Sequence, residues 1–363
     1  MGRKNKSGTI FVHNLSRGGM SMIQQLIQVQ KQIVPDLLDT LRHRYDILHY
    51  VRLMQPIGRR TLATSLGLTE RILRREVDFL KDQGLLTVAT QGISLTESGR
   101  NVLRDLHEVM GEILGISQVA RVLEQKLGVR QVVIVPGDSD ETFWVQRDIG
   151  RAAVTQLKAR LAPDDNIIAV TGGTTMASVA AMMSPDKKER PMHFVPARGG
   201  LGETLELQAN TVCSRMADRA HADYHLLHIP DEVSQKTFER MVEEPSIKNV
   251  LEMIRAARIV VHGIGEAETM AKRRHASPEH LRMIERHEAV AEAFGYYFDA
   301  QGEIVHRVKT VGIQLEELDD MDTVIAVAGG KSKAQAIAAY AKHRPNIILV
   351  TDEGAATELL TRY

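Results

Sequence analysis

Apolar residues recur with a helical period in the first third of the chain and in short continuous runs beyond it. From Ile23 to Met54 they fall at Leu26, Ile27, Ile33, Leu37, Leu38, Leu41, Ile47, Leu48 and Val51, the spacing of helices that bury one face. Pro35 interrupts the run, which predicts two helices rather than one. Gly58 to Thr69 reads as a short helix and a tight turn at Gly67, and Glu70 to Gln83 as a second helix capped by Thr69. On that second helix Leu73, Val77 and Leu80 share one face, and Arg71, Arg74, Arg75 and Asp78 the other. Gly84 ends it, and Leu85 to Leu95 reads as two short strands about Gln91-Gly92. Asn101 to Leu127 is a further amphipathic stretch, with Leu103, Leu106, Met110, Ile113 and Leu114 three and four apart.

Arginines on one helix face are, taken alone, as compatible with a solvated surface as with a ligand. The order helix, helix, turn, arginine-faced helix, hairpin is more specific: it is that of a winged helix-turn-helix. It places Arg71, Arg74 and Arg75 towards bases in a major groove, Arg59 and Arg60 towards phosphates, and Thr69 at the start of the recognition helix.

Beyond about residue 128 the pattern changes. Val132–Val135, Ile167–Val170, His193–Val195, Arg258–Val261, Val324–Val327 and Ile347–Val350 are short apolar runs, most of them leading into helical segments. Such alternation predicts an α/β domain whose Rossmann-like parallel sheet is covered on both faces, with ligands beyond the carboxyl ends of the strands. The loops at those ends carry the candidate chemistry. Thr171-Gly172-Gly173-Thr174-Thr175 is a glycine turn opening a hydroxyl-capped helix, which aims backbone N–H groups at a phosphate or carboxylate. Arg198 stands among Gly199, Gly200, Leu201 and Gly202; His262-Gly263-Ile264-Gly265-Glu266 is followed by Lys272, Arg273 and Arg274; Gly329-Gly330-Lys331-Ser332-Lys333 is a second glycine turn. Several cationic strand ends imply a ligand with more than one anionic group, best met by a small phosphorylated metabolite. A sugar would take carboxylates such as Glu292 as hydroxyl partners.

Composition narrows the classes. The 363 residues suffice for two or three domains, 43% are hydrophobic, and the net charge is zero, so a nucleic-acid surface has to be local. One cysteine, Cys213, excludes an internal disulfide and fits a reducing, cytoplasmic setting; no apolar run reaches the length of a membrane span. Met1 to Ser21 is polar, basic and rich in glycine and serine, which predicts a disordered lead-in. A P-loop would need glycine where Ile325 stands, and a dinucleotide fingerprint would need it at Glu268. No histidine spacing suggests zinc, and neither a metal nor a cofactor is expected.

Taken together, the Gly58–Gly84 helix-turn-helix, Thr171–Thr175, Val195-Pro196-Ala197-Arg198-Gly199-Gly200-Leu201-Gly202, His262–Ala267, Glu292-Ala293-Phe294-Gly295-Tyr296-Tyr297-Phe298 and Val327–Gly330 resemble the SorC-type bacterial repressors of glycolytic genes. The resemblance runs from about Met22 to the C-terminus. It implies a winged-helix domain joined to a sugar-phosphate-binding domain of the deaminase and isomerase type. It also implies repression of a glycolytic operon relieved by fructose 1,6-bisphosphate, and a homodimer assembling to a tetramer on operator DNA. Carried over by position, the effector contacts are Thr174, Thr175, Arg198, Gln208, Arg273, Glu292 and Lys333, with backbone from Gly172, Gly173 and Gly199–Gly202. Gln208 rests on the resemblance alone, and Gly330 on the glycine turn.

The expected organisation is a lead-in over 1–21, a DNA-binding domain over 22–99, a helical linker over 100–128 and an effector and oligomerisation domain over 129–363. The alternative is a sugar-phosphate isomerase or deaminase with an accessory DNA-binding domain. It would draw its acid and base from His262, Glu266 and Glu292.

Overall fold

In the computed structural model, which describes residues 33–113, 115–199, 204–229, 239–274, 276–308 and 311–363, a helix opens at Pro35. Its fixed φ and missing N–H suit a first helical turn, and α1 runs Pro35–Met54 from it. The helix expected before Pro35, and the lead-in, lie outside the described residues. Two compact units divide between Ile113 and Leu114.

In the first unit, α2 (Arg59–Ser65) and α3 (Glu70–Asp82) meet through Gly67, whose φ of 60° suits a residue without Cβ. Thr69 caps α3 as its position predicts, its hydroxyl accepting from the Ile72 N–H at 3.3 Å. Leu73, Val77 and Leu80 are buried. Strands β1 (Leu86–Ala89) and β2 (Gly92–Leu95) form the expected antiparallel wing, with Leu86 opposite Leu95. Ile57 adds an antiparallel bridge to Ile93. Helix α4 (Glu97–Ile113) packs on α1. The amphipathic stretch expected as one linker is therefore divided: α4 closes the first unit, and α5 (Ile116–Leu127) begins the second.

The second unit is built on β3 (Gln131–Val135), α6 (Val145–Lys158), β4 (Asn166–Val170), α7 (Thr174–Met182), β5 (Met192–Pro196), α8 (Ala209–Ala220), β6 (Asp223–Tyr224), α9 (Pro245–Ala256) and β7 (Ile259–Gly263). A smaller antiparallel sheet then interrupts: β8 (Gly265–Glu266), α10 (Ala267–Arg273), α11 (Pro278–Arg286), β9 (Ala291–Ala293), β10 (Tyr296–Phe298) and β11 (Ile304–Arg307). The chain returns through β12 (Thr323–Val327), α12 (Ala334–His343), β13 (Ile348–Asp352) and α13 (Glu353–Arg362).

The main sheet has seven parallel strands in the order β3-β13-β12-β7-β4-β5-β6. All six expected strands are in it, and β6 is an added two-residue edge. Residues such as Ile168, Val261, Ile325 and Leu349 are fully buried, as a sheet covered on both faces requires. The small sheet was not expected. Its β9–β10 turn holds Phe294 and Gly295 at φ 55° and 84°, the two positive values a tight hairpin needs. Among the described residues no helix is long and apolar enough to cross a membrane. Cys213 is buried, and burial pushes its thiol pKa well up.

Candidate functional site

Chain direction reverses between β4 and β7: β4 leads on to β5, whereas the chain beyond β7 returns through β12, on β7's other side. Such a switch point opens a crevice at the carboxyl ends of the two strands. Thr171 ties them together, its N–H donating to the Val261 carbonyl at 3.2 Å and its hydroxyl accepting from the Gly263 N–H at 3.3 Å.

Gly172 follows because nothing larger fits: a Cβ there would overlap the Leu207 carbonyl oxygen. The Gly173 N–H is not free, as the turn led one to expect, but donates to that carbonyl at 2.8 Å. The first intrahelical bond of α7 runs from Ala177 to Gly173, so the N–H groups of Thr174, Thr175 and Met176 precede it at the positive end of the helix dipole. The same contact packs the backbone of Gln208 against the turn.

Lys333 approaches from the Gly330 turn, its ammonium donating to the Thr175 hydroxyl at 3.3 Å. Burial lowers its pKa, and the nearby Arg273 guanidinium lowers it further, against the opposing pull of Asp140 and Asp352. Thr175, Lys333 and Arg273 are thus brought together from three strand ends.

A second cationic group surrounds Glu292, which is 3% exposed on β9. Arg274 donates to its Oε2 at 2.9 Å, the Arg198 guanidinium lies 3.7 Å from its Oε1, and the Gly295 N–H donates to Oε1 at 2.6 Å. Burial alone would raise the Glu292 pKa; Arg274 and Arg198 outweigh it and hold the carboxyl below its usual range. Two buried guanidiniums thus converge on this carboxylate. Arg274 is the residue that sequence reasoning left in a basic run without a role. Helix α10 stops at Arg273, which frees the next side chain to turn towards β9.

The Gly330 turn differs from expectation. Its N–H groups are spent on the chain's own carboxylates: Gly330 donates to Asp352 at 2.7 Å, Lys331 to Asp138 at 3.4 Å, and Ser332 to Asp140 at 2.7 Å. A Cβ on Gly330 would overlap the Asp140 carboxylate, so this glycine makes room for an aspartate and not for an outside anion. Lys333 is the member of the turn that reaches the Thr175 side. The Gly199 N–H donates to the Val311 carbonyl at 2.9 Å, whereas Gly200, Leu201 and Gly202 lie outside the described residues.

The candidate acid–base groups are otherwise engaged. His262 is fully buried between the Gly263 carbonyl, 3.0 Å from Nδ1, and the Tyr340 hydroxyl, 3.2 Å from Nε2. Burial pulls its pKa down to about 4, so it is neutral. Glu266 caps α10, accepting from the Thr269 N–H at 3.0 Å and from the Thr269 hydroxyl. Among the described residues no group of acidic, histidine or cysteine side chains could hold a metal ion.

On the first unit, Arg71, Arg74 and Arg75 lie on the exposed face of α3. Arg71 and Arg74 form no ion pair among the described residues. Arg75 bonds the adjacent Glu76. Arg59 lies 3.4 Å from Asp78 and Arg60 3.2 Å from Glu70; these pairs are half-exposed or exposed, so a phosphate can replace either carboxylate at small cost. Buried Glu76 was missed, although its place on the apolar stripe with Leu73 and Leu80 was a legible signal.

Known proteins resemble the chain over most of its length. A DNA-binding domain family, "CggR N-terminal DNA binding domain", matches residues 40–110, and a sugar-binding domain family matches residues 112–361. The chain is 52% identical over 338 residues to the "Central glycolytic genes regulator" of Bacillus subtilis (strain 168), covering 93% of this chain and 99% of that one. The protein of the same name from Priestia megaterium is equally similar. A SorC family transcriptional regulator from Enterococcus faecalis superposes with a TM-score of 0.65 at 42% identity, over 67% of this chain and all of that one. The full-length sorbitol operon regulator of Klebsiella pneumoniae covers 94% of this chain and all of its own at a TM-score of 0.62; its 18% identity speaks to fold alone.

Proposed function

The chain belongs to the central glycolytic genes regulator family, joining a DNA-binding domain to a sugar-binding domain, and from that premise we propose that it represses a glycolytic operon until fructose 1,6-bisphosphate binds. The observation that carries the effector is the pairing of two cationic groups. Lys333 and Arg273 stand beside Thr175 and the N-terminus of α7, and Arg198 and Arg274 stand about Glu292. A ligand with two phosphates supplies an anion for each, and its hydroxyls suit the Glu292 carboxylate. Thr174, Thr175, Arg198, Gln208, Arg273, Glu292 and Lys333 are the proposed contacts, with backbone from Gly172 and the Gly199–Gly202 loop; the N–H groups of Gly173 and Gly199, already bonded to Leu207 and Val311, are not among the donors. Arg274 joins them through Glu292.

On DNA, α3 enters the major groove with Arg71, Arg74 and Arg75 towards bases, and Arg59 and Arg60 meet phosphates. Two copies of the chain would place two such helices in successive grooves, and two dimers would close a tetramer on the operator. The isomerase or deaminase alternative gains no support from His262 and Glu266, both committed to structural bonds.

Calorimetric titration tests the effector. Fructose 1,6-bisphosphate should bind at least tenfold more tightly than fructose 6-phosphate or inorganic phosphate. Equal binding of all three would overturn the two-anion reading, and turnover of any phosphosugar would restore the enzyme.

A further inference from the structure

The side chain of Glu76 is 5% exposed, on the core side of α3 among Leu73, Val77 and Leu80. A buried carboxylate needs partners, and Glu76 has two. Arg44 of α1 donates from Nε to Oε2 at 2.9 Å, and Arg75 donates from Nε at 3.0 Å and Nη2 at 2.8 Å, both to Oε1. Arg44 is itself fixed, its guanidinium 3.7 Å from the centre of the Phe79 ring. Burial favours the neutral acid, but the two arginines prevail and keep the carboxyl below its ordinary range.

Arg75 is 77% exposed, so the core-side carboxylate holds a side chain that faces outwards. The Nε–H and the inner Nη2–H lie on one edge of the planar guanidinium. That edge is taken by Glu76. The other edge, made of Nη1 and the outer N–H of Nη2, has no partner among the described residues and forms an end-on fork. Arg71 and Arg74 have no comparable support. A fork whose rotamer is fixed beforehand loses less freedom on binding. The paired acceptors O6 and N7 of guanine match such a fork, whereas adenine presents one acceptor and one donor at the same edge.

We propose that Glu76 is a positioning residue that presents Arg75 as a guanine reader, so that one G·C pair in each operator half-site is read through the Arg44–Glu76–Arg75 relay. The proposal rests on the reading that α3 enters the major groove.

The test equilibrates the full chain with a duplex library randomised over two helical turns at fixed salt. The enriched duplex is then compared with single-pair replacements. The unaltered chain should prefer guanine at one position per half-site by about 5- to 150-fold. Arg75→Ala and Arg75→Lys should lose that preference and keep the others, and 7-deazaguanine at that position should weaken the parent chain but not Arg75→Ala. Glu76→Gln should lose most of the same preference. Because Arg75 is exposed, its variants remain informative even if Glu76→Gln folds poorly. If Arg75→Ala weakens all duplexes equally and lowers the salt slope by about one, Arg75 contacts a phosphate and the proposal fails. If folded Glu76→Gln keeps the preference, Glu76 does not position Arg75. If no sequence is enriched at all, the major-groove reading itself falls.

Discussion

Lys333 and Glu292 face the same physical difficulty with opposite charge. Both are taken out of water, which disfavours the ionised form of each. Glu292 is compensated by Arg274 and Arg198, and its pKa falls; the Lys333 pKa falls because burial disfavours its charge and Arg273 adds to that, against Asp140 and Asp352. In the proposed function, an effector phosphate adds a counter-charge to those of Asp140 and Asp352. Lys333→Met should therefore weaken fructose 1,6-bisphosphate about 10- to 100-fold in calorimetry, the worth of one charge-assisted bond, while operator affinity without effector is unchanged. Effector affinity should also decline on the alkaline side at a lower pH than an ordinary lysine titrates, and Lys333→Arg should abolish that decline. His262 gives an acid-side prediction. Neutral in the fold with a pKa of about 4 against 6.5 unfolded, it contributes stability that is full above pH 6.5. That contribution is lost as pH falls towards 4, by about 3 kcal/mol. Denaturant titrations at pH 7 and pH 4 should show a smaller difference for His262→Gln than for the parent chain; equal differences would contradict this.

Which elements were legible in sequence follows from what each signal encodes. The six long strands were visible because runs such as Ile167–Val170 and Val324–Val327 are continuously apolar, and α3 because Leu73, Val77 and Leu80 keep helical spacing. The antiparallel sheet was invisible because β8, β9 and β10 span only two or three residues, too few for a period, and because its turn uses Phe294 where asparagine or glycine would have signalled it. The Gly330 turn misled for a different reason. Its partners Asp138 and Asp140 lie more than 190 residues away, and nothing local shows that a glycine turn is already filled. Gly172 reads in sequence as part of a ligand turn, and its packing role against residues 207–209 was hidden. Gly172→Ala should force that segment away from the turn, destabilise the second unit by about 1–3 kcal/mol and weaken effector binding at least tenfold. Full retention of both in thermal unfolding and calorimetry would show that the turn and the segment move independently.

At the scale of the molecule, the family assignment supplies a DNA-binding unit and a sugar-binding unit, and regulation requires that they be energetically coupled. An effector shifts DNA affinity only by the difference in its own affinity for the DNA-competent and DNA-incompetent arrangements. A coupling of about 1–3 kcal/mol corresponds to about 5- to 150-fold. By reciprocity, operator DNA must weaken the effector by the same factor. The most direct measurement is titration of the full chain against a duplex from its own promoter region, at fixed salt because phosphate contacts are salt-sensitive, with and without saturating fructose 1,6-bisphosphate. The account predicts specific binding that weakens about 5- to 150-fold with effector, and Lys333→Met should shift that weakening to higher effector concentrations. Specific binding indifferent to the effector in the parent chain would contradict it.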